Sequence, residues 1–332
     1  MNKSVPACRI TGVGANLPER VVTNLDLEGM VDTSDEWIVT RTGISQRRIA
    51  DEGTTLYDLA LPAAREALDT AGVKAEELDL IICATATQDR YFPSTACVIG
   101  HGLGSGDAPA FDISAACSGF IYGSSIINQY FKGGVTKHAL LVASEIYSRI
   151  VNWKDRSTCV LFGDAAAAVV FSATDGPEGL IDTCIRSNGE YGSFLTGGAI
   201  TRTGDPLAGA LPSMGEDYFI GMKGNQTFKI AVKSMCDVAQ RILKDNGMSV
   251  ADVDMVIPHQ ANIRIISAVG KSLGLPEEKV YANIQRYGNT SAATIPLALY
   301  EAQKEGRVKK GDVVLMVAFG GGLTWGASLM RL

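Results

Sequence analysis

Phe111-Asp112-Ile113-Ser114-Ala115-Ala116-Cys117-Ser118-Gly119-Phe120 reads as the end of a buried strand, a tight turn of small residues and the start of a helix. The spacing predicts that helix from Cys117 to about Tyr130. A cysteine in the first helical turn faces unpaired N–H groups and the positive end of the helix dipole, which favour its thiolate. Ser114, Ala115, Ala116, Ser118 and Gly119 leave room for a reactant to approach the sulfur. Taken alone, the same stretch fits an inert buried cysteine, since free cysteine packs as a small hydrophobe.

The second half of the chain repeats the first. Gly72-Val73, four residues and then Leu78-Asp79-Leu80-Ile81-Ile82 resembles Gly247-Met248, four residues and then Val253-Asp254-Met255-Val256-Ile257, an offset of 247 − 72 = 175. The same offset aligns Leu140-Leu141-Val142-Ala143 with Leu315-Met316-Val317-Ala318. It also sets the Cys117 turn opposite Tyr287-Gly288-Asn289-Thr290-Ser291-Ala292. Three matches at one offset indicate a duplicated α/β unit, with a largely parallel sheet in each half covered on both faces. Sites in such sheets gather beyond the C-terminal strand ends, so the two halves can share one cleft.

That symmetry picks out three side chains: Cys117, His259 in Ile257-Pro258-His259-Gln260-Ala261-Asn262, and Asn289 at the duplicate of the cysteine turn. Histidine occurs only at 101, 138 and 259, and the first two are not placed at a strand end facing the cleft. The tail Ala318-Phe319-Gly320-Gly321-Gly322-Leu323-Thr324-Trp325-Gly326 follows a buried strand, and its glycines let backbone N–H groups approach a developing negative charge. A helix-start signal in Thr33-Ser34-Asp35 places Trp37 and Arg41 on one helix face. That pair fits either stacking on a planar ligand or an aromatic ring packed under an arginine stem.

The chain has 332 residues, 46% hydrophobic and 20% charged, enough for two domains or two halves. A formal net charge of −6 argues against general nucleic-acid binding. The first nine residues lack the apolar core of a signal peptide, and no apolar run approaches a membrane span. The seven cysteines are scattered without CxxC spacing, which argues against structural zinc and for reduced thiols in the cytoplasm.

Taken together in order, Thr33 to Ile44, the Ala-Cys-Ser-Gly-Phe turn, His259 to Asn262, Tyr287 to Ser291 and Phe319 to Gly326 resemble the β-ketoacyl-acyl carrier protein synthase III family. These are the initiating condensing enzymes of bacterial type II fatty-acid synthesis, and the resemblance covers nearly the whole chain. It implies an α/β thiolase-like fold of two duplicated halves, 1–179 and 180–332, in five layers α-β-α-β-α. It implies that Cys117 takes an acyl group from a short acyl-CoA, with acetyl-CoA expected. His259 and Asn289 then stabilise the enolate formed as malonyl-acyl carrier protein loses CO₂, with the N–H groups of Cys117 and Gly321 as oxyanion hole. The elongating relatives carry Cys-His-His, so Asn289 places the chain in the coenzyme-A-primed branch.

The resemblance further implies that Trp37 and Arg156 sandwich the adenine of CoA, with Thr33 in the same binding motif and Arg41 near the phosphates. Met222, Gly224, Phe228 and Asn262 would line the pantetheine tunnel, with Arg264 at its mouth. Gln260, Arg264, Lys229 and Lys271 would face the acidic carrier protein. Family members are homodimers in which the residue at Phe92 reaches the partner's acyl pocket, where a Phe would favour short primers. The segment from Thr196 to Asp217, rich in Gly and Pro, reads as a flap over the site. No metal or redox cofactor is implied, and neither nucleic acid nor membrane is an expected partner. Three other readings stand beside this one: a same-fold enzyme with a specialised starter, a Cys-His-Asn thioester hydrolase, and a silent carrier-binding subunit.

Overall fold

The structure, a computed structural model, describes residues 7–198 and 218–332. Its strands are β1 (Cys8–Asn16), β2 (Val21–Thr23), β3 (Gln46–Arg48), β4 (Leu80–Ala84), β5 (Ala110–Ile113), β6 (His138–Glu145), β7 (Ala165–Ala173), β8 (Gly179–Ser187), β9 (Leu195–Thr196), β10 (Gly221–Met222), β11 (Met255–Pro258), β12 (Val313–Gly320) and β13 (Thr324–Arg331). Its helices are α1 (Asn24–Glu28), α2 (Asp35–Thr42), α3 (Leu56–Ala71), α4 (Thr95–Leu103), α5 (Gly119–Lys132), α6 (Arg156–Cys159), α7 (Gly224–Asp245), α8 (Ile263–Ser272), α9 (Ile284–Tyr287) and α10 (Thr294–Lys304).

Two sheets carry the fold, in the orders β1-β7-β6-β4-β5 and β8-β13-β12-β11. The 175-residue offset maps β6 onto β12 and α5 onto α10 at their first residues, and β4 onto β11 likewise. The fifth strand has a trace in the second half, a parallel bridge of Val256 to Val280 beside β11. Helices α5 and α10 lie between the sheets, where Phe120, Ile127 and Phe131 of α5 and Ile295 and Leu299 of α10 join one apolar core with both inner sheet faces. Each such fully buried side chain contributes about 1.5–3 kcal/mol. Helices α3 and α4 cover the outer face of the first sheet, and α7 and α8 that of the second. The result is the five-layered sandwich.

Its sheets are mixed rather than largely parallel. β6, β4 and β5 run parallel, as do β11 and β12, but β7 is antiparallel to β1 and β6, and β13 to β12 and β8. Three residues separate β12 from β13, a hairpin length that only antiparallel strands can use. The strands read as parallel because helical layers bury both of their faces, which produces continuous apolar runs whatever the strand direction.

Strands of the first sheet end by Ala173 and those of the second begin at Gly179, so the expected 179/180 boundary cuts one residue into β8. No helix among the described residues is long and apolar enough to cross a membrane.

Candidate active site

Cys117 does not open the long helix. It sits in a 3₁₀ turn over Ala116–Ser118, and α5 starts at Gly119. Ala116 holds φ at 44°, a region costly for a residue with a Cβ. Ser118 anchors the turn by donating its hydroxyl to the Thr324 carbonyl at 3.0 Å. Gly320 passes so close that a Cβ on it would lie 2.7 Å from the Cys117 nitrogen. The sulfur is buried, and desolvation pushes the thiol up to about 12, opposed by a hydrogen bond from Ser291 and reinforced by the nearby Glu145 charge. The expected resting thiolate is therefore corrected to a thiol, because burial outweighs the helix-end field.

His259 follows β11, its N–H donating to Val317 O at 2.8 Å. The ring is buried, which lowers its pKa to about 3 and keeps the imidazole neutral. Its Nδ1 is 2.7 Å from Thr294 Oγ1. Asn289 is held between Leu161 O, which accepts its N–H at 2.8 Å, and Gly163 N–H, which donates to its carbonyl at 3.1 Å. Asn289 Oδ1 accepts from Ser291 N–H at 2.9 Å, which fixes the side-chain flip and leaves the amide NH₂ as a donor.

All three side chains line one cavity of about 600 Å³ between the halves. Trp37, Arg41, Met222, Gly224, Phe228 and Asn262 line it too, with Lys229 and Arg264 at exposed positions on its wall. Asn262 caps α8 by accepting from Arg264 N–H at 2.8 Å and ties it to α2 by donating to Arg41 O at 3.0 Å. Arg156 lies outside this lining. Its guanidinium is 5.0 Å from the Trp37 ring centre, and that of Arg41 is 5.4 Å away. A ring inserted between Trp37 and Arg156 needs about 7 Å, twice a carbon contact distance. The adenine sandwich therefore requires Arg156 to swing out. The Thr33 hydroxyl is buried without a partner, away from the cavity lining.

Gln260 is a correction. It is 1% exposed. Its amide donates to Pro258 O and Tyr281 O, and its oxygen accepts from Asn283 N–H. With all its polar groups engaged inside, it brings β11 and the Tyr281–Asn283 segment together and has nothing left for a carrier protein. Lys271 is exposed on α8 beyond the cavity lining. Gly321 stands beside Ala116, with 3.6 Å from its would-be Cβ to the Ala116 Cβ. Phe92 is 84% exposed and Tyr91 71%, so neither reaches this chain's own site. Of the expected flap, residues 199–217 lie outside the described residues; Leu195 and Thr196 form β9, paired with β10.

Comparison with known proteins agrees with this geometry. Residues 111–189 match the family described as 3-oxoacyl-[acyl-carrier-protein (ACP)] synthase III, and residues 243–332 match its C-terminal counterpart. The β-ketoacyl-[acyl-carrier-protein] synthase III of Aquifex aeolicus is 50% identical over 97% of this chain and 99% of its own. The chain belongs to the β-ketoacyl-[acyl-carrier-protein] synthase III family.

A crystal structure of the Aquifex aeolicus enzyme superposes with a TM-score of 0.91 at 49% identity, covering 98% of this chain and all of that one. A priming β-ketosynthase from a polyketide biosynthetic pathway superposes at 0.90 with 34% identity, covering 100% and 99%. The chain is thus an acyltransferase of thiolase-like fold, and its reaction is the initiating condensation of fatty-acid synthesis.

The geometry also separates this chain from a Cys-His-Asn hydrolase. There the asparagine orients the histidine, whereas here His259 Nδ1 meets Thr294 and Asn289 Oδ1 meets Ser291. Thr294, Ser291 and Glu145 are the site residues that sequence reasoning missed. Ser291 lay inside the quoted asparagine motif, and Glu145 one residue past a recognised apolar strand.

Proposed function

We propose that Cys117 is the acyl-carrying nucleophile and that His259 and Asn289 serve the second, decarboxylating half of the cycle. The observation carrying this reading is their convergence on one cavity, with a neutral imidazole and an amide whose NH₂ is left free to donate. Cys117 attacks the thioester of a short acyl-CoA, and CoA leaves before the carrier substrate enters. Malonyl-acyl carrier protein then loses CO₂, and His259 Nε2–H and Asn289 Nδ2–H donate to the enolate oxygen. Such donors act on charge that develops only in the transition state. The enolate carbon attacks the acyl-cysteine, and the backbone N–H groups of Cys117 and Gly321 donate to its carbonyl oxygen as that oxygen becomes negative. The chemistry asks for no metal or redox cofactor.

The Nε2–H tautomer follows if Thr294 donates its hydroxyl to Nδ1. The Thr294 hydroxyl has one proton for two acceptors, His259 Nδ1 at 2.7 Å and the Ser291 carbonyl at 2.8 Å; given to Nδ1, it leaves the Ser291 carbonyl with the Thr294 backbone N–H as its donor. Trp37 and Arg41 bind the nucleotide end of CoA, and Met222 and Phe228 flank the pantetheine path, all on the cavity wall. Exposed Lys229, Arg264 and Lys271 offer the acidic carrier a cationic approach on a protein of net charge −6. In a homodimer, exposed Phe92 enters the partner's acyl pocket and limits the primer to a short chain. The cytoplasm, where the thiol stays reduced, is the fitting compartment.

A specialised starter is the second reading, favoured by the likeness to the priming β-ketosynthase. Intact-protein mass spectrometry with acetyl-, butyryl-, branched and aromatic acyl-CoAs decides between them. Acetyl mass on Cys117, absent from Cys117→Ser and discharged by malonyl-acyl carrier protein, is the expected result. Labelling only by longer, branched or aromatic donors would move the enzyme to the specialised branch.

A further inference from the structure

Glu145, at the C-terminal end of β6, has no exposed surface, and no cation pairs with it among the described residues. An isolated carboxylate is costly to bury, so one kept in a core is a candidate for function. Its Oε2 accepts from Thr87 Oγ1 at 2.6 Å, Ala86 N–H at 3.1 Å and Thr85 Oγ1 at 3.2 Å. Its Oε1 accepts from Ser291 Oγ at 3.1 Å, and the Ser291 hydroxyl is close enough to the Cys117 sulfur to lower its pKa. Ser291 Oγ also lies 3.1 Å from Tyr147 OH.

A hydroxyl has one proton and two lone pairs. The Ser291 proton has two acceptors, Glu145 Oε1 and Tyr147 OH; given to Glu145, it leaves a lone pair open to the Cys117 thiol. Ser291 reaches this position at φ 52°, and it is the duplicate of strained Ala116. Strain at a residue with a Cβ, in contact with the nucleophile, points to a use for its hydroxyl.

We propose that Ser291 and Glu145 form the proton relay that activates Cys117. As the sulfur attacks, its proton passes to Ser291 Oγ while the Ser291 proton passes to Glu145 Oε1. The S–H bond breaks, an O–H bond forms on the carboxyl group, and one negative charge moves from Glu145 to the sulfur. The buried site never holds two anions. The new S–C bond forms as the C–S bond to CoA breaks, and CoA leaves as a thiolate that takes a proton from solvent. Glu145 returns the proton to solvent during the life of the acyl-enzyme, and the Cys117 thiolate expelled in condensation takes one back through Glu145 and Ser291. The cycle thus consumes one solvent proton, as release of CO₂ from a malonyl carboxylate requires.

Burial raises the Glu145 pKa to about 7, so the carboxylate that must accept the proton is lost as pH falls through that value. The other titratable groups around it are otherwise engaged. Tyr147 is held protonated by burial. Asp112 accepts from Thr95 and Ala96, Asp164 from Ser148 and Ala50, and Asp89 pairs with Arg149. Cys83 is raised by burial, and His259 across the cavity is neutral.

The relay rests on Cys117 as nucleophile, and the test keeps the two apart. Acetyl-CoA is mixed with the enzyme without carrier protein at a series of pH values on either side of about 7, and the rate of acyl mass gain on Cys117 is followed. The relay predicts a rate that falls as pH drops through about 7, where Glu145 takes up its proton. Glu145→Gln should slow acylation by about a hundredfold and remove its low-pH fall, with Glu145→Asp restoring part of each. Ser291→Ala should reproduce the slow acylation. Acylation of Cys117 in Glu145→Gln at the unmutated rate and with the unmutated pH profile would overturn the relay alone. Acyl mass elsewhere would overturn both readings.

Discussion

At the scale of single residues, burial sets the chemistry. It holds Cys117 as a thiol and His259 as a neutral base, so neither is charged when substrate arrives. A histidine depressed to about 3 stays uncharged through the physiological range, and its donor strength does not titrate there. The sign for stability follows: the unfolded ring binds a proton below its ordinary 6.5 and the folded ring does not. Stability is therefore lost as pH falls from 6.5 toward 3. Thr294, 2.7 Å from Nδ1, decides which nitrogen faces the cavity. Thr294→Val keeps the shape and removes the hydroxyl. It should lower the condensation rate by about tenfold and leave acetylation of Cys117 by acetyl-CoA unchanged, in single-turnover measurements of each half. Thr294→Ser should restore condensation.

At the scale of elements, the active turn is made by close backbone approach. Gly320 ends β12 against the Cys117 turn, and a methyl group there would meet the Cys117 nitrogen at 2.7 Å and the Ser118 nitrogen at 3.1 Å. Backbone atoms cannot swing aside as a side-chain tip would. Gly320→Ala should therefore displace the nucleophile by a fraction of an ångström and slow acylation by about a hundredfold while the protein still folds. Circular dichroism and single-turnover acylation check the two parts. The elements themselves were readable in the sequence where repetition supplied a second copy. Leu80–Ala84 and Met255–Pro258, or His138–Glu145 and Val313–Gly320, confirm one another at one offset. Strand direction was not readable, because β7 and β13 are apolar on both faces in either orientation. Gln260 was misread because it adjoins His259, and only the fold shows its amide NH₂ spent on Pro258 and Tyr281 and its oxygen on Asn283 N–H. Glu145 looked like a polar strand end, and only the fold shows it closed in by Thr85, Ala86 and Thr87 of its own half and by Ser291 of the other.

At the scale of the molecule, the duplication makes the site. Each half supplies strand ends to a shared cleft: the first half gives Cys117 and Glu145, the second His259, Asn289 and Ser291. The cavity opens past exposed Lys229 and Arg264, and Arg264 lies 5.8 Å over the Phe228 ring. Reversing Arg264 to glutamate should raise KM for malonyl-acyl carrier protein by about tenfold and weaken its salt dependence. Acylation by acetyl-CoA should change less. Titration of steady-state rate against carrier concentration at two ionic strengths reads both effects.

The most direct measurement of the account is a rapid-quench comparison of the two half-reactions in His259→Ala and Asn289→Ala. Each variant is mixed with acetyl-CoA, and acyl-Cys117 is quantified by mass. Malonyl-acyl carrier protein is then added, and CO₂ and 3-oxoacyl product are followed. Both variants should acylate Cys117 at nearly the parent rate, then condense about a hundredfold to a thousandfold more slowly, as loss of a donor to a developing oxyanion requires. Loss of acylation in His259→Ala with condensation intact would make the imidazole the base for Cys117, and would contradict the assignment of His259 and Asn289 to the second half of the cycle.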